Sequence, residues 1–189
     1  EEGNGKSTLL RVLAGDPSVE SYIEVSGSFS CRDSAAYLPQ ELPESERTLS
    51  AYDFFCMSPV FFDQSPRELG ELAARLSLPA DAFYSDQLMQ TFSGGERVKL
   101  QLARLLMSSP TTLLLDEPTN DLDSDSVLWL ENFLLSCKLT VLFVSHDEAL
   151  LSRAATSILL LERLRRRQVP RATLYRMGYD RFYEERGAA

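Results

Sequence analysis

Cysteine, histidine, positive charge and long apolar runs are all scarce in this sequence. The three cysteines, Cys31, Cys56 and Cys137, are odd in number, far apart and without CxxC or Cys/His ligand spacing. That pattern argues against a disulfide framework or a zinc site and fits packing thiols in a reducing compartment. No apolar run approaches the ~20 residues needed to cross a bilayer. The acidic, polar start also differs from a secretory signal, so the expected setting is the cytoplasm, with no direct membrane insertion. Lys and Arg number 19 against 28 Asp and Glu, a net charge of −9, which argues against coating nucleic acid by bulk attraction but leaves room for a local basic patch. Phe54, Phe61, Phe62 and Phe83 have no interleaved basic residues, so they read as core or interaction surface rather than a base-stacking platform. No internal repeat or low-complexity tract is present.

With 189 residues and 44% hydrophobic content, the chain suits one globular domain. Its most informative stretch runs from Phe92 to Asp123. Ser93 followed by Glu96 is a capping-box pattern, so Gly94-Gly95-Glu96 opens a helix whose first amides are available to an anion. Val98, Leu102, Leu105 and Leu106 give that helix an apolar face, with Arg97, Lys99, Gln101 and Arg104 expected outward. Pro110 stops it. Thr112 to Leu115 is short and uniformly apolar, the pattern of a strand buried on both faces. It ends in Asp116-Glu117-Pro118, and carboxylates at the carboxyl end of a buried parallel strand stand where open α/β sheets place their ligands.

Glu1 to Thr8 reads EEGNGKST. A glycine immediately before Glu1 would complete the phosphate-loop pattern G-x-x-x-x-G-K-[ST], so the chain is expected to begin inside a motif, with the strand that normally precedes it outside the chain. Gly5 permits close approach of backbone to phosphate, Lys6 reaches terminal phosphates and Ser7 ligates magnesium. A helix follows and stops at Gly15 and Pro17. The segments YIEVSG and AAYLPQ predict short antiparallel strands beside this loop. Between Glu41 and Gln90, Thr48 to Met57 and Pro66 to Leu76 carry helical patterns and suggest a helical subdomain. Ser124 to Cys137 predicts a helix, Thr140 to Val144 a buried strand and Ile158 to Leu161 another strand. His146, the one histidine, follows the second of these and is placed to bond a terminal phosphate and orient water. The arginines from Arg163 to Arg171 form either a solvated face or a phosphate contact.

Taken together, GNGKST, Leu38-Pro39-Gln40, Ser93-Gly94-Gly95-Glu96, Leu115-Asp116-Glu117-Pro118 and His146 resemble the ATP-binding cassette family in order and spacing. The resemblance implies an α/β fold: a P-loop NTPase nucleotide-binding domain with a β-subdomain and a helical subdomain. It implies ATP and Mg2+ as cofactors. Gly3, Asn4, Gly5, Lys6, Ser7 and Thr8 would form the Walker A loop, and Gln40 would be the Q-loop glutamine. Asp116 would hold magnesium with Ser7 and Gln40, Glu117 would be the catalytic base and His146 the switch histidine. Ser93, Gly94, Gly95 and Glu96 resemble the signature, which caps ATP held by an opposite cassette, and Asn120 to Asp123 resemble the D-loop. One cassette then makes no complete site, so a second cassette, in the same full-length chain or as a dimer, is implied.

YLPQE, DEPTNDLD and the tail LYRMGYDRFYEER are most similar to the ABC-F subfamily, soluble proteins with two cassettes, many of which act on ribosomes. On that basis residues 1–175 are expected to form the nucleotide-binding domain, with 41–92 as its helical subdomain and 176–189 as the start of an interdomain linker. The partners implied are a ribosome and its RNA, in translation or antibiotic resistance. Phe92 stands where leucine is usual, and Asp121 where this subfamily commonly has histidine. Two other readings stay open: the ATPase subunit of a transporter, docking a membrane partner on the helical subdomain, and a catalytically silent interaction domain.

Overall fold

The apolar run at Thr112–Asp116 organises the chain because strands with side chains buried on both faces must be covered from both sides. The structure is a computed structural model describing residues 5–26, 34–162 and 171–187. A first helix, α1 (Lys6–Leu13), leads to strand β1 (Ala35–Leu38). Short helices α2 (Glu44–Arg47) and α3 (Ala51–Cys56) and the longer α4 (Pro66–Arg75) follow. Next come α5 (Gly94–Met107), β2 (Thr112–Asp116), α6 (Ser124–Ser136) and β3 (Thr140–Val144). The chain continues through α7 (Glu148–Ala154), β4 (Ile158–Glu162), β5 (Arg171–Tyr175) and α8 (Tyr179–Gly187).

β1, β2 and β3 form a parallel sheet in that order, with Leu38 beside Leu115 and Asp116 beside Val144. This corrects one expectation. Ala35 to Leu38 is a parallel neighbour of β2, not half of an antiparallel pair, and residues 22–26 form no strand. The physical reason lies in burial: Ala36 and Leu38 are buried, which a strand of a covered parallel sheet satisfies and an exposed hairpin does not. The remainder of the expected β-subdomain falls on residues 27–33, outside the described residues, as do Cys31 and Arg163 to Gln168.

Helix α5 is enclosed on more sides than its apolar stripe foretold. Ser93 and Glu96 form the reciprocal capping box. Leu100, Leu102 and Ala103 are buried, but so is Gln101, whose amide donates to the Arg97 carbonyl over 3.4 Å. Arg104, expected outward, donates to both Glu46 carboxylate oxygens at 3.0 and 3.1 Å and lies 3.7 Å over the Phe54 ring. Charged side chains enter such surroundings only when paired, and the partner, Glu46, comes from α2. The helical stretch thereby shares one continuous core with the sheet, in which Phe54, Phe55, Phe83 and Met89 join Leu100, Leu113 and Leu115.

β4 and β5 pair antiparallel as a separate ribbon. α8 returns to it through Phe182, whose ring lies 5.0 Å from that of Tyr175, and through an Arg186–Glu162 ion pair of 2.7 Å. Among the described residues β3 is paired on its β2 side only. Between β3 and β4 lies a cavity of about 950 Å3 lined by Leu9, Leu10, Leu142, Val144 and Leu160, with Lys6 and His146 also on its wall.

Candidate functional site

Gly5 holds φ 76°, a left-handed conformation natural to glycine, and immediately precedes α1. Among the described residues no side chain caps this helix. Its first turn therefore presents backbone donors, and the helix dipole adds partial positive charge there. Ser7, in that turn, donates its hydroxyl to Asp116 Oδ1 over 2.9 Å, across 109 residues of sequence. Gly3 and Asn4 lie outside the described residues. Thr8 is half-buried in α1.

Asp116 ends β2 and is 2% exposed. Its second oxygen, Oδ2, accepts from the Tyr37 hydroxyl at 3.0 Å. Burial first, and then the neighbouring Asp116 charge, push the Tyr37 hydroxyl well above its ordinary range, so it stays a donor. Tyr37 escaped the sequence reading. The signal for it was the alternation of Ala35–Leu38, which becomes informative only once β1 is known to lie parallel beside β2.

Glu117 follows at φ 46°, a left-handed conformation that a non-glycine residue adopts at a cost, here immediately before Pro118. Its amide still donates to the Val144 carbonyl at 2.9 Å, continuing the sheet ladder. The turn therefore changes the direction of the side chain without releasing the backbone. The carboxylate, 8% exposed, meets His146 twice: Oε2 accepts the His146 backbone N–H at 3.1 Å, and Oε1 lies 3.3 Å from Nε2 of the largely exposed imidazole. Two parallel strand ends, β2 and β3, create this meeting.

Gln40 is exposed two residues beyond Leu38, as Glu117 is two residues beyond Leu115, the partner of Leu38 in the sheet. It therefore stands at the same end of the sheet, without a hydrogen bond to Ser7, Asp116 or Glu117 among the described residues. Ser93, Gly94, Gly95 and Glu96 form a second locus at the start of α5. A side-chain carbon on Gly94 would overlap the Asp121 carbonyl, and one on Gly95 would overlap the Ser126 hydroxyl. The glycines thus admit the turn after Glu117, and Asp121 in that turn holds φ 60°. Asp is among the residues that tolerate this conformation best, which accounts physically for its presence.

Residues 1–120 match the protein family described as ABC transporter. The chain belongs to this ATP-binding cassette family. The cassette is 32% identical over 190 residues to elongation factor 3 of Phytophthora infestans, covering 99% of the cassette chain and 17% of that protein. It is 35% identical over 196 residues to the energy-dependent translational throttle protein EttA of Escherichia coli K12, covering 85% of the cassette chain and 35% of the relative. Among solved structures, RNase-L Inhibitor superposes with a TM-score of 0.69 at 25% identity, over 98% of this chain and 36% of that one. A putative metal-chelate type ABC transporter, with a TM-score of 0.66 at 24% identity over 84% of this chain and 65% of that one, shares the fold alone. The cassette spans about a third or less of the curated relatives it matches.

The donor set suits a magnesium nucleotide. Among the described residues no group of three or more His, Cys, Asp and Glu side chains forms an all-protein metal cage. Magnesium needs no such cage, because it binds through one or two carboxylates with phosphate and water oxygens completing the shell. Asp116 and the Ser7 hydroxyl are hard oxygen donors in contact with each other, beside a helix start that favours anions.

Proposed function

We propose that this cassette binds and hydrolyses ATP with Mg2+ as part of a soluble, cytoplasmic ABC-F protein that acts on the ribosome. The observation that carries the hydrolytic half is the convergence of Ser7 with Asp116 and of Glu117 with His146 at one end of the sheet. The ribosomal half is supported by the names of two relatives, an elongation factor and a translational throttle, together with the ABC-F-like motifs. Residues 176–189 are proposed as the start of the linker to a second cassette.

In this reading Gly3, Asn4, Gly5, Lys6 and Thr8 cradle phosphates, and Ser7 and Asp116 hold the cation, with Gln40 reaching it from the neighbouring strand end. Bound magnesium neutralises charge on the transferring phosphoryl group. Tyr37 keeps the Asp116 carboxylate in one orientation. Glu117 accepts the proton of the attacking water at a carboxylate oxygen, and the His146 backbone N–H, which donates to Oε2, fixes the direction of the carboxylate. Ser93 to Glu96, which resemble the family's signature, serve the nucleotide of a partner cassette.

The test uses the full-length protein carrying Glu117→Gln. Turnover is expected to fall by about 10²–10⁴-fold while ATP binding persists, and the variant is expected to co-sediment with ribosomes only when ATP is present. Retained turnover would remove Glu117 from its role. Absence of ATP-dependent co-sedimentation would end the ribosomal reading.

A further inference from the structure

The helical stretch carries an aromatic surface that nucleotide chemistry does not use. Phe61 is buried beneath Tyr52, Phe62 and Tyr84, whose ring centroids lie 6.3, 5.6 and 6.1 Å from its own. Those three rings are 40%, 66% and 53% exposed, and Tyr52 and Tyr84 also contact each other at 6.3 Å. They come from α3 and from the short 3-10 turns Pro59–Asp63 and Ala82–Tyr84. Phe55 fastens them from below, 5.7 Å from Phe61 and 5.0 Å from Phe83. Rigid, grouped aromatics on a surface are the composition of protein interfaces, where they bring contact area at low entropic cost.

The rim decides what fits. Exposed Asp53 adjoins Tyr52, exposed Asp63 adjoins Phe62, and exposed Asp81 and Asp86 flank Tyr84. Neither Lys nor Arg occurs from Thr48 to Pro66 or from Leu76 to Glu96. Arg67 is already paired with Glu71 at 2.9 Å, and Arg75 faces the Phe133 ring. Among the described residues no cation pairs with the four aspartates; Asp53 accepts a hydroxyl bond from Ser50. We propose that this patch docks a basic, amphipathic segment of a protein partner. Apolar side chains of the segment cover the three rings, and flanking Lys or Arg side chains meet the aspartates and the electron-rich ring faces. The same rim repels a phosphate backbone or an anionic membrane. The inference stands independently of the nucleotide reading.

The test measures binding of the full-length protein to a fluorescein-labelled Leu/Lys peptide of about 18 residues whose leucines share one helical face. Three probes accompany it: a scrambled peptide of identical composition, a version with Glu replacing Lys, and single-stranded RNA. Saturable binding of the amphipathic peptide is expected, at least about tenfold tighter than the scrambled one. A similar loss is expected in the Phe62→Ser/Tyr84→Ser double variant, with its melting temperature checked against the parent. Asp63→Lys/Asp86→Lys, which leaves the rings in place and neutralises the rim, is expected to abolish the preference for the Lys peptide over the Glu peptide. Equal binding of the scrambled peptide, unchanged binding by both double variants, no saturable binding, or patch-dependent binding of the RNA would each overturn the proposal.

Discussion

Tyr37 and the glycines of α5 show how single residues set the site. Because burial and Asp116 raise the Tyr37 hydroxyl above its ordinary 10.0, the unfolded chain ionises first as pH rises. The stability this group contributes is therefore full below about pH 10 and declines above it, through the raised folded value. Tyr37→Phe is expected to flatten that alkaline decline, read from melting temperatures between about pH 8 and pH 11. Gly94 and Gly95 differ in what opposes a side chain. Gly94→Ala drives a methyl against the Asp121 backbone, whereas Gly95→Ala meets the Ser126 side chain. Overpacking of this kind costs about 1–3 kcal/mol. Denaturant unfolding is expected to show the larger loss for Gly94→Ala, with Ser126→Gly relieving Gly95→Ala and leaving Gly94→Ala unrelieved.

Between elements, the joint that matters most is Arg104 of α5 with Glu46 of α2. Both side chains are largely buried, at 22% and 12% exposure. Removing Glu46 alone strands a cation over Phe54 and is expected to cost roughly 1.5–3 kcal/mol. Replacing both residues by leucine is expected to cost less than either single change, because no unpaired charge is left behind. A double-mutant cycle in denaturant checks this. The helix itself was legible in the sequence, since its capping box and apolar spacing are local signals. β2, β3 and β4 were legible as short apolar runs, but β3 is half-exposed rather than buried because it is paired on its β2 side only among the described residues, and β5 was not read as a strand. Burial of Arg104 was not legible, because its partner lies 58 residues away and a charged residue on a helix reads as solvated until its neighbour is known. The antiparallel reading of Ala35–Leu38 failed similarly: period-two patterning identifies a strand without naming what it pairs with.

For the molecule as a whole, protection is unevenly distributed. β2 is buried and bonded on both sides, while β4 and β5 form a half-exposed two-stranded ribbon. Hydrogen exchange is expected to be slowest at Leu113, Leu114 and Leu115 and at least about tenfold faster in β4 and β5. The spacing of the motifs marked Ser7, Asp116, Glu117 and His146, and the sheet brings these four to one end. The contacts that fix them, Tyr37 to Asp116 and the His146 amide to Glu117, required the parallel register and were not legible. Glu117 also sets function against persistence. Its left-handed backbone is a site where glycine is at ease and glutamate is not, a difference of about 1–3 kcal/mol. A library randomised at position 117 and selected only for survival on heating is expected to drift to glycine or asparagine, as sequencing of the survivors would record. Under the proposed role of Glu117 as the base, a lineage that keeps glutamate there does so under continuous selection for its carboxylate.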